Sequence, residues 1–296
     1  MKKFALLLAC IAAPASSQVA GSVDPLTRPV AEEYSKQWLG PQAPVRLHGQ
    51  SYFVGFQGLS IVLIRTSKGL ILIDGAVPQA VGTIQANIRK LGFDPADIRL
   101  ILSTEPHYDH AGGMAALARD SGATVLAGAP ALAALRTGRP DRADPQHDDL
   151  VAIPGIAKLR AVRDGEAIRL GNMVVTAHAT PGHTAGSMSW SWKSCEDRKC
   201  ATLVFASSLN PISSDSYRFT DRPADVRRFR KSIDRVRTLP CDLLITSHPD
   251  SDLLKRMAAT VAQRSRPPLT DDTACRRFGD QALERLEKRL ASERAD

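Results

Sequence analysis

The ten residues Thr104-Glu105-Pro106-His107-Tyr108-Asp109-His110-Ala111-Gly112-Gly113 set two imidazoles and two carboxylates within six positions, Glu105 to His110. That donor mix suits a divalent metal that prefers nitrogen and oxygen. The apolar run Leu100-Ile101-Leu102 just ahead reads as a buried strand, so the four side chains arrive on a loop at a strand's end. Beyond them Gly112-Gly113 permits a tight turn into the helical pattern of Met114 to Arg119. Such a strand-to-helix junction is where α/β proteins gather functional residues. Two histidines three apart on a polar loop are ordinarily solvated and do not by themselves make a metal site. The rest of the chain has to supply company.

It does so twice. His183 lies in Thr180-Pro181-Gly182-His183-Thr184-Ala185-Gly186-Ser187, a turn between two strand-like runs, and His248 follows the apolar run before Ile245-Thr246-Ser247-His248-Pro249. Three separate strand ends therefore each present a histidine. A mononuclear site uses three or four protein ligands. This chain offers six (Glu105, His107, Asp109, His110, His183 and His248), enough for two zinc ions with positions left open for water and substrate.

Length and composition allow one large domain. At 296 residues and 43% hydrophobic the chain can bury a sizeable core, and no Pro/Gly-rich linker divides it. The net charge of +8 is scattered, and its densest run, Arg227-Arg228-Phe229-Arg230-Lys231, falls on a helical pattern, which reads as a solvated face. No recognition motif accompanies the charge, so no nucleic-acid partner is expected. Met1-Lys2-Lys3, the apolar run Phe4 to Ala13 and the small residues Ala15 to Ala20 read as a secretory signal peptide. The run is too short to stay in a bilayer as a spanning helix. This predicts a signal over residues 1–20, cleaved near 17 to 20, a single domain over 21–296, and a periplasmic or secreted location without membrane insertion. Leu7-Leu8-Ala9-Cys10 offers a lipoprotein box as the less favoured alternative, because it comes early in the apolar run. Without Cys10 the exported chain keeps Cys195, Cys200, Cys241 and Cys275, an even count with three possible pairings.

The elements alternate. Ser51 to Gly55, Leu59 to Thr66 and Leu70 to Ile73 are strand-like, with Ser67-Lys68-Gly69 turning a hairpin, and Val81 to Leu91 has helical spacing. The second half repeats the scheme. Met173 to Ala177, Ser187 to Trp192 and Ala201 to Phe205 are strand-like, Pro223 to Leu239 is an amphipathic helix, and Leu243 to Thr246 is a strand. Pattern alone gives mixed α and β. Asp74, closing a strand before Gly75, is placed to orient the metal loop. His178 reads as a packed residue, His48 and His147 as surface, and Trp38, Trp190 and Trp192 as core or strand-face aromatics.

Glu105-x-His107-x-Asp109-His110, Pro181-Gly182-His183-Thr184 and the late His248 resemble the metallo-β-lactamase fold family, whose usual first motif is His-x-His-x-Asp-His. The order and flanks agree from about Trp38 onward. Within the family the chain resembles the subclass B3 zinc β-lactamases. Ser207-Ser208-Leu209 stands where that subclass has a Ser, and Glu105 matches its minority variant with a Glu-His-His first zinc site. The resemblance implies an αββα sandwich with the metal loops along one edge. It implies a first zinc on Glu105, His107 and His183, and a second on Asp109, His110 and His248. A zinc-bound hydroxide oriented by Asp109 would open the β-lactam ring. Ser208 would hold a zinc-bound water, and Asn210 would stand where the subclass contacts the substrate carboxylate. The resemblance also favours pairing Cys241 with Cys275, leaving Cys195 with Cys200, and a monomer acting on a small-molecule β-lactam. Substrate preference would depend on loops such as Gly138 to Leu150. Two other readings remain. One is a lactone or thioester hydrolase of the same fold, whose members usually carry a bridging carboxylate where Phe205-Ala206-Ser207-Ser208 offers none. The other is a non-catalytic metal-binding protein.

Overall fold

The computed structural model describes residues 24–262 and 269–295. The expected signal segment, residues 1–20 with Cys10, lies outside the described residues. Among them, one sheet joins β1 (Val45–His48), β2 (Ser51–Phe53), β3 (Val62–Thr66), β4 (Gly69–Ile73), β5 (Ile98–Leu102), β6 (Thr124–Gly128) and β7 (Leu159–Val162) in that order. The other contains β8 (Ala167–Leu170), β9 (Met173–Ala179), β10 (Met188–Glu196), β11 (Lys199–Ala206) and β12 (Leu243–Thr246), in the order β12-β11-β10-β9-β8.

Successive side chains of a strand leave on opposite faces. Here both faces are apolar. Val62, Ile64, Ile71 and Ile73 point into the core between the sheets, where they meet Val175, Trp190, Leu203, Phe205 and Ile245. Their neighbours Leu63, Leu70 and Leu72 point the other way. In the second sheet Leu203 and Phe205 face inward, and Val204 and Ala206 outward. Burying each such large side chain contributes roughly 1.5–3 kcal/mol, so both outer faces need a cover.

The helices provide it. In chain order they are α1 (Glu32–Trp38), α2 (Val81–Lys90), α3 (Tyr108–Ala111), α4 (Met114–Ser121), α5 (Leu132–Thr137), α6 (Pro223–Thr238), α7 (Ser251–Ala262) and α8 (Ala274–Ala295). Ile84 and Ile88 of α2, with Met114 and Leu117 of α4, cover the first sheet. Phe229 and Ile233 of α6, with Ala282, Leu286 and Leu290 of α8, cover the second. The result is the expected αββα sandwich. The basic run of α6 behaves as a solvated face, because Arg227, Arg228, Arg230 and Lys231 are exposed while Phe229 is buried. The pattern reading passed over β1, β6, β7 and β8. β1, β7 and β8 are sheet edges, and β7 and β8 each bury fully only one side chain, which weakens their periodic signal, whereas β6 is an interior strand with four of its five residues buried.

Cys195 bonds Cys200 across the β10–β11 hairpin, and Cys241 bonds Cys275, joining the start of β12 to α8. Among the described residues no helix is long and apolar enough to cross a membrane.

Candidate metal centre

The strands β4, β5 and β6 run parallel, as do β11 and β12, so their C-terminal ends collect on one edge. From β4 comes Asp74, from β5 the stretch Glu105 to His110, from β11 Ser208 and Asn210, and from β12 His248. The turn between β9 and β10 adds His183. The loop after β5 is stitched in place before any ligand is considered. Asp74, with a positive φ of 64°, accepts the Thr104 N–H at 2.8 Å and its hydroxyl at 2.6 Å, and Gly75 N–H donates to the His110 carbonyl at 2.8 Å. A buried non-glycine residue at positive φ is uncommon and needs such surroundings to hold it. Asp74 thus orients the metal loop as its strand-end position suggested. Gly112 and Gly113 form the expected turn into α4 with right-handed backbones, and a Cβ on Gly113 would sit 2.3 Å from the Gly75 carbonyl oxygen. They allow two loops to touch. Gly182 does the same for His183, since a Cβ there would lie 2.2 Å from the Phe229 ring.

Asp109, His110 and His248 each bring a donor atom within 4.8 Å of the others. Asp109 Oδ2 is 3.2 Å from both His110 Nε2 and His248 Nε2. Glu105, His107 and His183 are also buried together, the two rings 4.9 Å apart. Glu105 Oε1 lies 3.1 Å from His110 Nε2, linking the two sets.

Every histidine of the centre is held from behind. His107 Nε2 meets Asp144 Oδ2 at 3.0 Å, His110 Nδ1 faces Asp74 Oδ2 at 3.5 Å, His183 Nδ1 meets the Asn210 carbonyl at 2.8 Å, and His248 Nδ1 meets the Gly58 carbonyl at 2.9 Å. An oxygen acceptor on one ring nitrogen fixes the tautomer and leaves the other nitrogen's lone pair for a metal, the arrangement metal-binding imidazoles almost always adopt. The charges agree. Burial works against the cation of His110, yet the carboxylates of Asp109 and Glu105 override it and raise its pKa well above the ordinary histidine range. Burial pushes Asp109 up, but His110 and His248 hold it well below the usual carboxylate range. Glu105 is lowered in the same way, burial being overcome by His110, His183 and His107. A field that stabilises positive charge at this spot favours a cation there. The set of imidazole and carboxylate donors fits zinc.

Two expected residues stand somewhat differently. Ser208 donates its hydroxyl to Glu105 Oε1 at 2.6 Å and its N–H to Oε2 at 3.3 Å, so its one hydroxyl hydrogen is committed to a ligand rather than to a water. Asn210 lines the cleft while its carbonyl tethers His183. Trp38 packs against the core and also reaches the site: its ring is 5.8 Å from that of His248 and 5.9 Å from that of Tyr108. The cleft over the centre has a volume of about 340 Å³, walled on its apolar side by Tyr34, Trp38, Tyr108, Leu150 and Ile212. Sequence reasoning missed Asp144 and Gln146, the latter 3.2 Å from His183 Nε2. They sit in Arg142-Ala143-Asp144-Pro145-Gln146, a polar loop with no local mark of function.

The metallo-beta-lactamase superfamily model matches residues 54–248, and the chain belongs to that superfamily. A B3 metallo-beta-lactamase with an active-site glutamic acid is 52% identical, with a TM-score of 0.84 over 92% of this chain and 99% of the other. MEM-A1, a subclass B3 metallo-beta-lactamase from a soil metagenome library, is 44% identical, with a TM-score of 0.84 over 87% of this chain and 99% of the other. The hydroxyacylglutathione hydrolase of Methylococcus capsulatus is 26% identical over 162 residues, covering 54% of this chain and 52% of the relative. The match therefore spans about half the length of that curated relative.

Proposed function

We propose that the chain is an exported zinc hydrolase that opens the β-lactam ring, with two ions held by Glu105, His107 and His183 and by Asp109, His110 and His248. One observation carries the metal reading: four histidines each tethered by one nitrogen to an oxygen, with two buried carboxylates among them. Identity of 52% to a B3 enzyme that also has a glutamic acid in its active site supports the substrate class. Bound zinc supplies a Lewis acid and a water acidic enough to attack near neutral pH.

The chain's own residues position that chemistry. Asp109 engages both imidazoles through Oδ2, which leaves Oδ1 to accept a hydrogen bond from the attacking water and aim it. Ser208 holds Glu105 in the orientation a ligand needs. Trp38, Tyr108 and Ile212 offer apolar surface to the substrate, which displaces water and strengthens every charge interaction beneath it. The two disulfides suit an oxidising compartment and support export to the periplasm or beyond.

The hydroxyacylglutathione hydrolase relatives favour a second reading, a thioester hydrolase. Against it, β11 is followed by Ser207 and Ser208, where a bridging carboxylate would be expected. Purified protein offered a chromogenic β-lactam and a glutathione thioester in parallel, with and without a chelator, separates the two. Chelator-sensitive cleavage of the β-lactam is expected. Cleavage of the thioester alone would overturn the proposal.

A further inference from the structure

A second cavity of about 380 Å³ lies beside the metal cleft, against α8, and Asn210 and His248 line both. Its charged residues are paired with one exception. Arg277 bonds Asp271 at 2.8 Å, Asp252 forms an ion pair with Arg256 at 3.1 Å, and Asp250 accepts the Leu253 N–H at 2.6 Å. Arg285 has neither an ion-pair nor a hydrogen-bond partner among the described residues, and its Nε is shut off from solvent. Burial works against its charge, with only the adjacent Glu284 favouring it. Buried polar groups are almost always paired, so an orphaned guanidinium N–H needs a reason.

The helix fixes where Arg285 stands. Arg289, four residues on along the same face, donates to Ser213 Oγ at 2.7 Å. This face of α8 therefore runs beside the segment that follows β11, and Arg285 shares its cavity with Asn210. The Phe278 ring, 6.0 Å from its guanidinium carbon, flanks it.

We propose that Arg285 receives the carboxylate of the substrate at the edge of the metal cleft and so determines which substrates bind. The proposal rests on the β-lactam reading, because those substrates carry a carboxylate close to the amide that is cut. A guanidinium presents a planar fork of donors that matches a carboxylate, which a lysine does only as a point charge. Asn210, which lines both cavities, adds an amide to their shared wall.

The test compares Arg285→Gln and Arg285→Lys with the parent protein, zinc-loaded, on a penicillin and on its methyl ester. Loss of a charged hydrogen bond predicts a KM about tenfold higher for the free acid in Arg285→Gln. The ester's KM should not respond, zinc content should be unchanged, and Arg285→Lys should recover part of the loss. Equal changes for acid and ester, or none for the acid, overturn the proposal. A second measurement does not depend on β-lactam turnover. The cobalt-substituted protein, followed by its thiolate-to-metal absorption band, is titrated with mercaptoacetate and with 2-mercaptoethanol. Tighter binding of mercaptoacetate, with the preference abolished in Arg285→Gln, is expected. If the parent protein cleaves no β-lactam, the function proposal fails by itself, and the cobalt titration still decides whether Arg285 recognises a carboxylate. The same preference in parent and variant overturns it.

Discussion

The two proposed ligand sets differ in what holds them. Asp109, His110 and His248 bond to one another, with Asp109 Oδ2 3.2 Å from each imidazole, and their rear supports are Asp74 at the end of β4 and the Gly58 carbonyl in the loop between β2 and β3. Glu105, His107 and His183 are held mainly by other residues: Ser208 on Glu105, Asp144 on His107, and the Asn210 carbonyl on His183 Nδ1, while Gln146 approaches the opposite nitrogen, Nε2, on the side a metal would take. Asp144 and Gln146 belong to a loop that is itself fastened through Ser214, whose N–H donates to the Pro145 carbonyl at 2.8 Å and whose hydroxyl accepts the Asp148 N–H at 3.2 Å. The second set therefore rests on the end of β4 and on the β2–β3 loop, and the first on the longer loop that carries Asp144 and Gln146. Loops open more readily than strands, so the first set should be the more easily perturbed by mutations at a distance.

The largest effect should come from the second set itself. Asp109→Asn removes one of its three ligands. A third of the roughly 10–16 kcal/mol of a zinc site corresponds to a loss of affinity on the order of a thousandfold. Metal analysis after dialysis should find the second ion missing and hydrolysis nearly abolished. Unchanged zinc content would break the assignment. Next in size is the support beneath His248. Changing Cys241 and Cys275 to Ser reopens a link of sequence separation 34, and the chain-entropy model assigns it about 3–4 kcal/mol. Urea unfolding should show that loss, with the second metal site weakened and the first spared.

Asp144→Asn sharpens the comparison from the other side. Removing the partner behind a ligating imidazole typically costs about ten- to a hundredfold in metal affinity. Competition with a chromophoric chelator should show the first ion weakened by that factor and the second untouched. Equal weakening of both would mean the loop supports the whole centre. Ser208→Ala takes one donor from the buried Glu105 carboxylate, a cost of about 1–2 kcal/mol in the stability of the metal-free protein.

A pair outside both sets provides the smallest effect. Hydrogen bonds from Arg277 and Thr273 hold Asp271 below the usual carboxylate range. A carboxyl depressed in the folded state stabilises above its unfolded pKa, and that contribution is lost as pH falls through the folded value. The pair is partly exposed, so Asp271→Asn should cost under about 1 kcal/mol near neutral pH. The difference from the parent protein should shrink in acid, as thermal unfolding across pH would record.

Much of this was legible in the chain. Leu100-Ile101-Leu102 before Glu105, and the apolar runs before Ser208 and His248, announce buried strands because every position of a doubly covered strand must be apolar. The spacing within Glu105 to His110 announces donors because four such side chains seldom crowd together otherwise. Less was legible at the sheet edges, where Leu159–Val162 and Ala167–Leu170 bury too little to show a period. Trp38 packs against the core as a core or strand-face aromatic should, but α1 also carries it to the cleft wall, which a short helix near the start of the described chain does not reveal.

The sequence by itself determined the kinds of candidate donor, their order along the chain and a mixture of α and β elements, since these depend on local chemistry and on the periods of strand and helix. Only the tertiary structure decided what stands behind each ligand. Asp144 is 37 residues from His107, Asn210 is 27 from His183, Gly58 is 190 from His248, and Ser208 is 103 from Glu105. Nothing local in Asp144 or Gly58 distinguishes it from any other polar loop residue. Their roles come from the packing of the two sheets, which brings the ends of distant strands within a hydrogen bond of one another and orients each imidazole.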